Sequence, residues 1–152
     1  MLHQRQSSAA NERPIMTPNN KVVICYQVKN LSTLLLAAQR EIVIERFFVY
    51  GTLGPGRPNE HVLTAIGGSW KTATVTGTLR NEGWGAELGY PGIHLDENGS
   101  EVEGFLFVSE NLSGHWAALD EFEGDAYKRV LAKVKLEDGS MVDAHIYTLR
   151  SV

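Results

Sequence analysis

The sequence predicts an α+β fold: a small mixed β-barrel with flanking helices. After residue 46, the predicted elements follow the order strand, helix, strand, strand, helix, strand, strand. This order is not the regular alternation of a doubly wound parallel sheet. The predicted strands are short, and closing them into a barrel would hide their edges. A chain of 152 residues is long enough for one domain with a real core.

Composition excludes several classes of protein. Apolar residues make up 43% and charged residues 21% of the chain, values typical of globular proteins rather than disordered ones. The net charge of −4 provides no basic field for nucleic acid or an anionic membrane, so we expect neither partner. No apolar run approaches the ~18–20 residues of a spanning helix. The only cysteine, Cys25, cannot form a disulfide within the chain, and we expect a cytoplasmic protein.

Two regions are predicted: residues 1–45 form an N-terminal extension, partly flexible, and residues 46–152 form the domain. The first 20 residues are polar and contain two prolines, which predicts a flexible arm. Residues 21–28 have strand composition, and residues 30–39 are predicted to form a short helix. We expect the extension to pack on the domain or on a second copy, and a homodimer is one assembly this predicts.

Local signals place the elements of the domain. Apolar runs rich in β-formers predict strands, Gly and Pro clusters predict turns, and Asp138-Gly139 between two such runs predicts a hairpin. Pro58 suits the first turn of a helix, and Gly67-Gly68 suits its end. The predicted strands are 47–50, 72–79, 102–108, 128–136 and 141–149; the helices are 59–66 and 112–122; residues 80–92 are a loop.

A helical stripe points to one unusual carboxyl group. Leu112, Trp116 and Leu119 are spaced four and three residues apart and share one face of the helix, and the next position in the series is Glu123. Burial and the negative end of the helix dipole both disfavour an ionised carboxylate there. Both effects raise its pKa, and a carboxyl with a raised pKa can take and return a proton near neutral pH.

Plainer interpretations of Glu123 remain open from the sequence. The helix end could fray and leave the carboxylate in water, or Lys128 or Arg129 could form an ordinary ion pair with it. Asp120 and Glu121 lie elsewhere on the helical wheel and are predicted to be solvated.

The second feature is the glycine-rich turn over residues 50–58. A buried strand leads into it and a helix follows, so successive backbone N–H groups could bind an anion such as a carboxylate. The Gly-Lys-Ser/Thr ending of a phosphate-binding P-loop is missing. Alternatively, the turn needs glycine for its geometry alone.

Other chemistry has little support in the sequence. The five histidines have no metal-ligand spacing, no serine lies in a Gly-x-Ser-x-Gly motif, and Cys25 lies in an apolar run typical of a buried thiol.

Taken together, the two features resemble the gamma-glutamylcyclotransferase-like family, which includes gamma-glutamylamine cyclotransferases and small bacterial relatives. The resemblance covers residues 46 to about 149. Its motifs are Tyr50-Gly51-Thr52-Leu53 with Gly56 and Asn59, Tyr90-Pro91-Gly92, Val102-Glu103-Gly104, Leu119-Asp120-x-Phe122-Glu123-Gly124 and Tyr127-x-Arg129.

The resemblance implies a barrel fold and assigns roles to residues. Glu123 matches the family's catalytic acid/base. The substrate-cradling loop corresponds to Tyr50, Gly51, Thr52 and Leu53, while Tyr127 and Arg129 match substrate-pocket or structural positions. The implied reaction converts a gamma-glutamyl amine or amide into 5-oxoproline and a free amine, through attack by the substrate's own α-amine. It implies no metal or organic cofactor.

One departure and one alternative accompany this resemblance. The family often carries a basic residue soon after the Gly-Thr-Leu turn, where this chain has Gly54-Pro55 and then Arg57. Ligand charge and loop geometry could therefore differ. The alternative is a non-catalytic module that binds a small carboxylate or amine metabolite in the same pocket.

Overall fold

Eight strands and two α-helices make up the part of the chain that the structure, a computed structural model, describes: residues 12–16, 22–26 and 42–151. The helix predicted at residues 30–39 lies outside these residues. The strands are β1 (Glu12–Met16), β2 (Val22–Tyr26), β3 (Ile42–Val49), β4 (Ser69–Arg80), β5 (Gly92–Leu95), β6 (Ser100–Ser109), β7 (Tyr127–Leu136) and β8 (Met141–Leu149). The helices are α1 (Glu60–Ile66) and α2 (Trp116–Glu123), with 3-10 turns at Trp84–Leu88 and Leu112–Gly114.

Five strands close into a barrel in the order β3-β6-β4-β7-β8, and β8 returns to pair with β3. The closing pair is parallel, with Phe47 opposite His145, and the other pairs are antiparallel. β5 pairs with β4 as an extra strand. The predicted mixed barrel with flanking helices is therefore confirmed.

Both faces of β3 are buried, which explains its continuous apolar run. Phe47 and Val49 belong to one core cluster, which also takes in α1, α2 and the ends of β7 and β8. Phe48 points to the opposite face and joins a second cluster with residues of β4, β6, β7 and β8. Thus β3 is fixed on both sides up to the glycine-rich turn that follows it.

The N-terminal unit contains a single described hairpin. β1 and β2 pair antiparallel, with Glu12 opposite Tyr26 and Met16 opposite Val22. The strand predicted within residues 21–28 is confirmed. The prediction of a flexible arm is wrong for Glu12–Met16, because β2 supplies the backbone hydrogen-bond partners that an isolated polar segment would lack.

Two further differences concern short elements. The predicted loop at 80–92 contains a 3-10 helix over Trp84–Leu88 and leads into β5 at Gly92. The helix predicted at 112–122 is divided, with a 3-10 turn that ends at Gly114 before α2 begins at Trp116. Within the described ranges, the molecule has no helix of the length and apolar character needed to cross a membrane.

The Asp-Gly turn forms the predicted hairpin between β7 and β8, and Gly139 has a φ of 84°. We expect Gly139→Ala to lower the free energy of unfolding by about 1–2 kcal/mol, because an L-residue is strained in this conformation. Urea denaturation measures the change. Gly114→Ala is the matched control, since its Cβ also meets open space but its φ is not positive. Equal stabilities of the two variants would contradict the prediction.

Candidate active site

A cavity of about 40 Å³ lies where the end of β3, the segment 84–91 and the C-terminal end of α2 meet. This volume has room for about three water molecules, so it suits a small polar group or one end of a longer molecule. Its lining residues are Phe47, Phe48, Val49, Tyr50, Gly51, Thr52, Leu53, Trp84, Gly85, Tyr90, Pro91, Glu123, Tyr127 and Tyr147.

Residues Gly51, Thr52 and Leu53 of the glycine-rich turn line this cavity. Asn59 holds the turn, because its side-chain amide donates to the Thr52 hydroxyl (3.0 Å) and its backbone N–H donates to the Thr52 carbonyl (2.9 Å). The Leu53 side chain is anchored in the core. Among the described residues, no acceptor takes the N–H groups of Gly51, Thr52 or Leu53. Buried N–H groups are normally paired, so these three donors suit a ligand oxygen.

Tyr50 is fixed by its hydroxyl group. That hydroxyl donates to the Tyr147 carbonyl (2.8 Å) and accepts from the Ile93 N–H (3.1 Å), and burial raises the pKa of Tyr50. The phenol therefore ties the turn to β8 and β5. Because both hydrogen bonds of its hydroxyl are made within the protein, Tyr50 can contact a ligand in the cavity only through its ring and backbone.

Glu123 ends α2 and lines the cavity, as the helical stripe predicts. Leu112, Trp116 and Leu119 are all buried ahead of it. Its side chain is partly buried, and no described residue forms a hydrogen bond or ion pair with its carboxylate. Burial raises the pKa of Glu123 to about 7. The frayed and ion-paired alternatives do not describe this carboxyl group.

Trp84 closes the end of α2 over the cavity. Its indole N–H donates to the backbone carbonyl of Glu123 (3.1 Å), one of the carbonyls that a helix end leaves without a partner. Its ring packs edge-on against Phe122, with centroids 5.5 Å apart. These two contacts fix the segment 84–91 to the end of α2, where Glu123 provides the candidate proton-carrying carboxyl.

Three tyrosine side chains line the cavity together with Glu123. Burial raises the pKa values of Tyr50, Tyr127 and Tyr147, and the negative charge of Glu123 raises each of them further. The phenols therefore stay protonated at neutral pH. No described residue that lines the cavity is basic.

Arg129 does not line the cavity. Its guanidinium pairs with the Asp120 carboxylate (2.9 and 3.2 Å) and covers the Trp116 ring at 4.4 Å. Of the two roles expected for Arg129, the geometry supports the structural one. Asp120 is exposed as predicted, but it is not merely solvated, because it also accepts a hydrogen bond from the Tyr147 hydroxyl.

Arg57 is the first basic residue after the Gly-Thr-Leu turn in this chain. One of its guanidinium nitrogens donates to the Tyr50 carbonyl (3.2 Å), and the group lies 5.3 Å from the centre of the Tyr90 ring. Arg57 therefore braces the turn against the segment 84–91 and does not line the cavity.

Sequence reasoning left Tyr147 out of the site. Tyr147 lies in β8, where four consecutive buried residues give no alternation that would single it out. The described residues contain no group of three or more His, Cys, Asp or Glu side chains placed to hold a metal ion.

A family model identifies the family of this chain, and several solved structures share its fold. A family model described as gamma-glutamyl cyclotransferase, AIG2-like matches residues 47–152. No curated protein gives a significant match. An AIG2-like protein from Mus musculus superposes with a TM-score of 0.55 at 25% identity, covering 72% of this chain and 79% of that one.

Two other solved structures are similar in fold. YkqA from Bacillus subtilis has a TM-score of 0.55 and 24% identity, covering 70% of this chain but only 36% of that one, so the match spans about a third of YkqA. A structure named gamma-glutamyl cyclotransferase has a TM-score of 0.52 and 17% identity, covering 71% of this chain and 68% of that one. The family model covers more than half of the sequence and includes the cavity, so the chain belongs to the gamma-glutamyl cyclotransferase, AIG2-like family.

Proposed function

We propose that this protein cleaves a gamma-glutamyl amine or amide into 5-oxoproline and a free amine, with Glu123 as general base and then general acid. The observation that carries the proposal is the position of the Glu123 carboxyl. It is partly buried, its pKa is about 7, and it lines a small cavity together with three N–H donors that have no described acceptor.

The chemistry needs one proton carrier and one oxyanion site. The substrate's α-amine attacks its own γ-carbonyl carbon, a C–N bond forms, and a five-membered ring closes. Because the nucleophile is tethered, most of the entropy cost of bringing the reactants together is already removed. Glu123 takes the proton from the attacking amine and returns it to the departing nitrogen as the original amide C–N bond breaks. The N–H groups of Gly51, Thr52 and Leu53 suit either the α-carboxylate or the developing oxyanion.

The pKa of Glu123 predicts the pH dependence of the reaction. A general base acts in its ionised form, so kcat/KM should fall as the pH drops below about 7 and Glu123 gains a proton. Initial rates of 5-oxoproline formation from about pH 4 to about pH 9 test this. A lower limb with a midpoint near the ordinary value of a glutamate, 4.5, would contradict it.

The function itself is tested with purified protein and a panel of gamma-glutamyl amines that carry alkyl, aromatic and amino-acid leaving groups. We expect 5-oxoproline and the free amine in equal amounts. Compounds that bind and are recovered unchanged after long incubation would favour the binding module instead. The panel also identifies the leaving group, which Trp84 and Tyr90 contact in this proposal because both line the cavity.

A further inference from the structure

We propose that Asp120 is a positioning residue that fixes the Tyr147 hydroxyl as a hydrogen-bond acceptor for the substrate's α-amino group. The inference rests on the proposed function, and it assigns the polar group that recognises the amino end of a gamma-glutamyl compound.

The Tyr147 hydroxyl has a firmly held partner. It donates to Oδ1 of Asp120 at 2.7 Å. Arg129 donates to the same oxygen from Nε (2.9 Å) and to Oδ2 from Nη2 (3.2 Å). The Arg129 guanidinium in turn covers the ring of Trp116, whose indole N–H donates to the buried Glu45 (2.8 Å). Asp120 is therefore held between helix and barrel although its carboxylate is on the surface.

The charge state of Asp120 sets the direction of this hydrogen bond. The hydrogen bonds from Arg129 lower the pKa of Asp120, so the group remains an ionised carboxylate that only accepts. A phenol has a single proton, and Tyr147 uses it to donate its hydrogen bond to Asp120. The remaining lone pairs of its oxygen can only accept.

This acceptor belongs to the same cavity as the proposed base. Tyr147 and Glu123 both line it, and the Glu123 charge contributes to raising the pKa of the Tyr147 hydroxyl. The other two phenols offer less. The Tyr50 hydroxyl is already engaged at both ends, and the Gly85 N–H lies against the Tyr127 oxygen.

The cavity therefore has two sides of opposite hydrogen-bonding character. The turn presents N–H donors that suit a carboxylate or carbonyl oxygen. Tyr147 and Glu123 present acceptors, which suit the N–H groups of an α-ammonium or α-amine. An amine held between these two oxygens is next to the group that takes its proton. Without Asp120, the phenol proton is free to turn towards the cavity, where it would oppose an N–H donor.

The test compares two ligands that differ in one group. Gamma-glutamyl butylamide carries the α-amine, and glutaric acid monobutylamide is the same molecule without it. Calorimetry on the Glu123→Gln protein, in which turnover is expected to be about 10²–10⁴-fold slower, measures their affinities. Asp120→Ala, Tyr147→Phe and the double variant are made in that background. Asp120→Asn is the conservative rescue, because its amide oxygen can still accept from the phenol, and Glu121→Ala is a matched control on the exposed side of α2.

We expect Asp120→Ala to weaken binding of gamma-glutamyl butylamide by about ten- to a hundredfold, the loss typical of a hydrogen bond to a charged group. Binding of the analogue that lacks the amine should stay within about twofold. The double variant should be no weaker than Tyr147→Phe alone, because Asp120 acts through Tyr147. Asp120→Asn and Glu121→Ala should bind like the parent protein.

Each contrary result has a distinct meaning. Equal weakening of both ligands, or additive losses in the double variant, would show Asp120 to be merely structural and would overturn the inference. The cyclisation assay on the wild-type chain is scored separately. If it yields no 5-oxoproline but the binding pattern holds, the proposed reaction fails and the amino-group site stands. A parent protein that binds neither ligand would overturn both.

Discussion

Glu123→Gln is expected to lower kcat for 5-oxoproline formation by about 10²–10⁴-fold, the contribution typical of a positioned acid/base. The amide keeps the size of the side chain but cannot carry a proton. Because the N–H donors of the turn and the tethered amine remain, substrate affinity should change much less than kcat. Stopped assays that quantify 5-oxoproline across a range of substrate concentrations separate kcat from KM.

The stability of the same variant is the control for misfolding. At pH 8 the wild-type carboxyl is ionised although burial disfavours its charge, since its pKa is about 7 in the folded state and that of an ordinary glutamate is 4.5. Below pH 4.5 the carboxyl is protonated in the folded and the unfolded state, so the cost of burying the charge is absent. The cost grows as the pH rises from 4.5 to about 7 and is fully present above that. A neutral amide avoids it, so Glu123→Gln should be at least as stable as wild type at pH 8. Glu121→Gln, an exposed change on the same helix, should leave kcat unaltered. Undiminished kcat in Glu123→Gln would contradict the proposed mechanism.

The features that sequence reasoning predicted are those encoded by neighbouring residues. The apolar run before Tyr50 indicates a strand because both its faces are buried, and Asp138-Gly139 indicates a hairpin because the turn needs a positive φ. Glu123 stands out because three buried residues precede it at helical spacing. In each case the local pattern and the final environment agree.

The features it missed join distant parts of the chain. The Tyr147 hydroxyl meets a carboxylate 27 residues away, and Tyr50 meets the Tyr147 carbonyl 97 residues away. The family resemblance left Arg129 with two roles, substrate pocket or structural, and its pairing with Asp120 becomes visible only in the folded barrel. β5 was not predicted because its four residues, Gly92–Leu95, are too few to show a strand pattern. Its strand conformation comes from pairing with β4.

Gly83→Ala is expected to lower the free energy of unfolding by about 2–4 kcal/mol and to cut cyclising activity more than tenfold. Gly83 has φ 86° and ψ 166°, a region essentially confined to glycine, which alone costs about 1–3 kcal/mol for another residue. A Cβ built there would meet the hydroxyl and ring of the buried Tyr127 at 2.0 and 2.6 Å. Either Tyr127 or the segment 84–91 must move, and both line the cavity.

Gly89→Ala separates this clash from backbone strain. Gly89 ends the same 3-10 helix with a φ of 83°, but a Cβ there meets nothing within 4 Å. Its substitution should therefore cost only the left-handed conformation, about 1–2 kcal/mol, and leave Tyr127 and the Trp84 hydrogen bond to the Glu123 carbonyl in place. Guanidinium denaturation and the 5-oxoproline assay, run on both variants, measure the two effects. Equal losses in the two would mean that strain alone acts and that contact between this segment and Tyr127 does not shape the cavity.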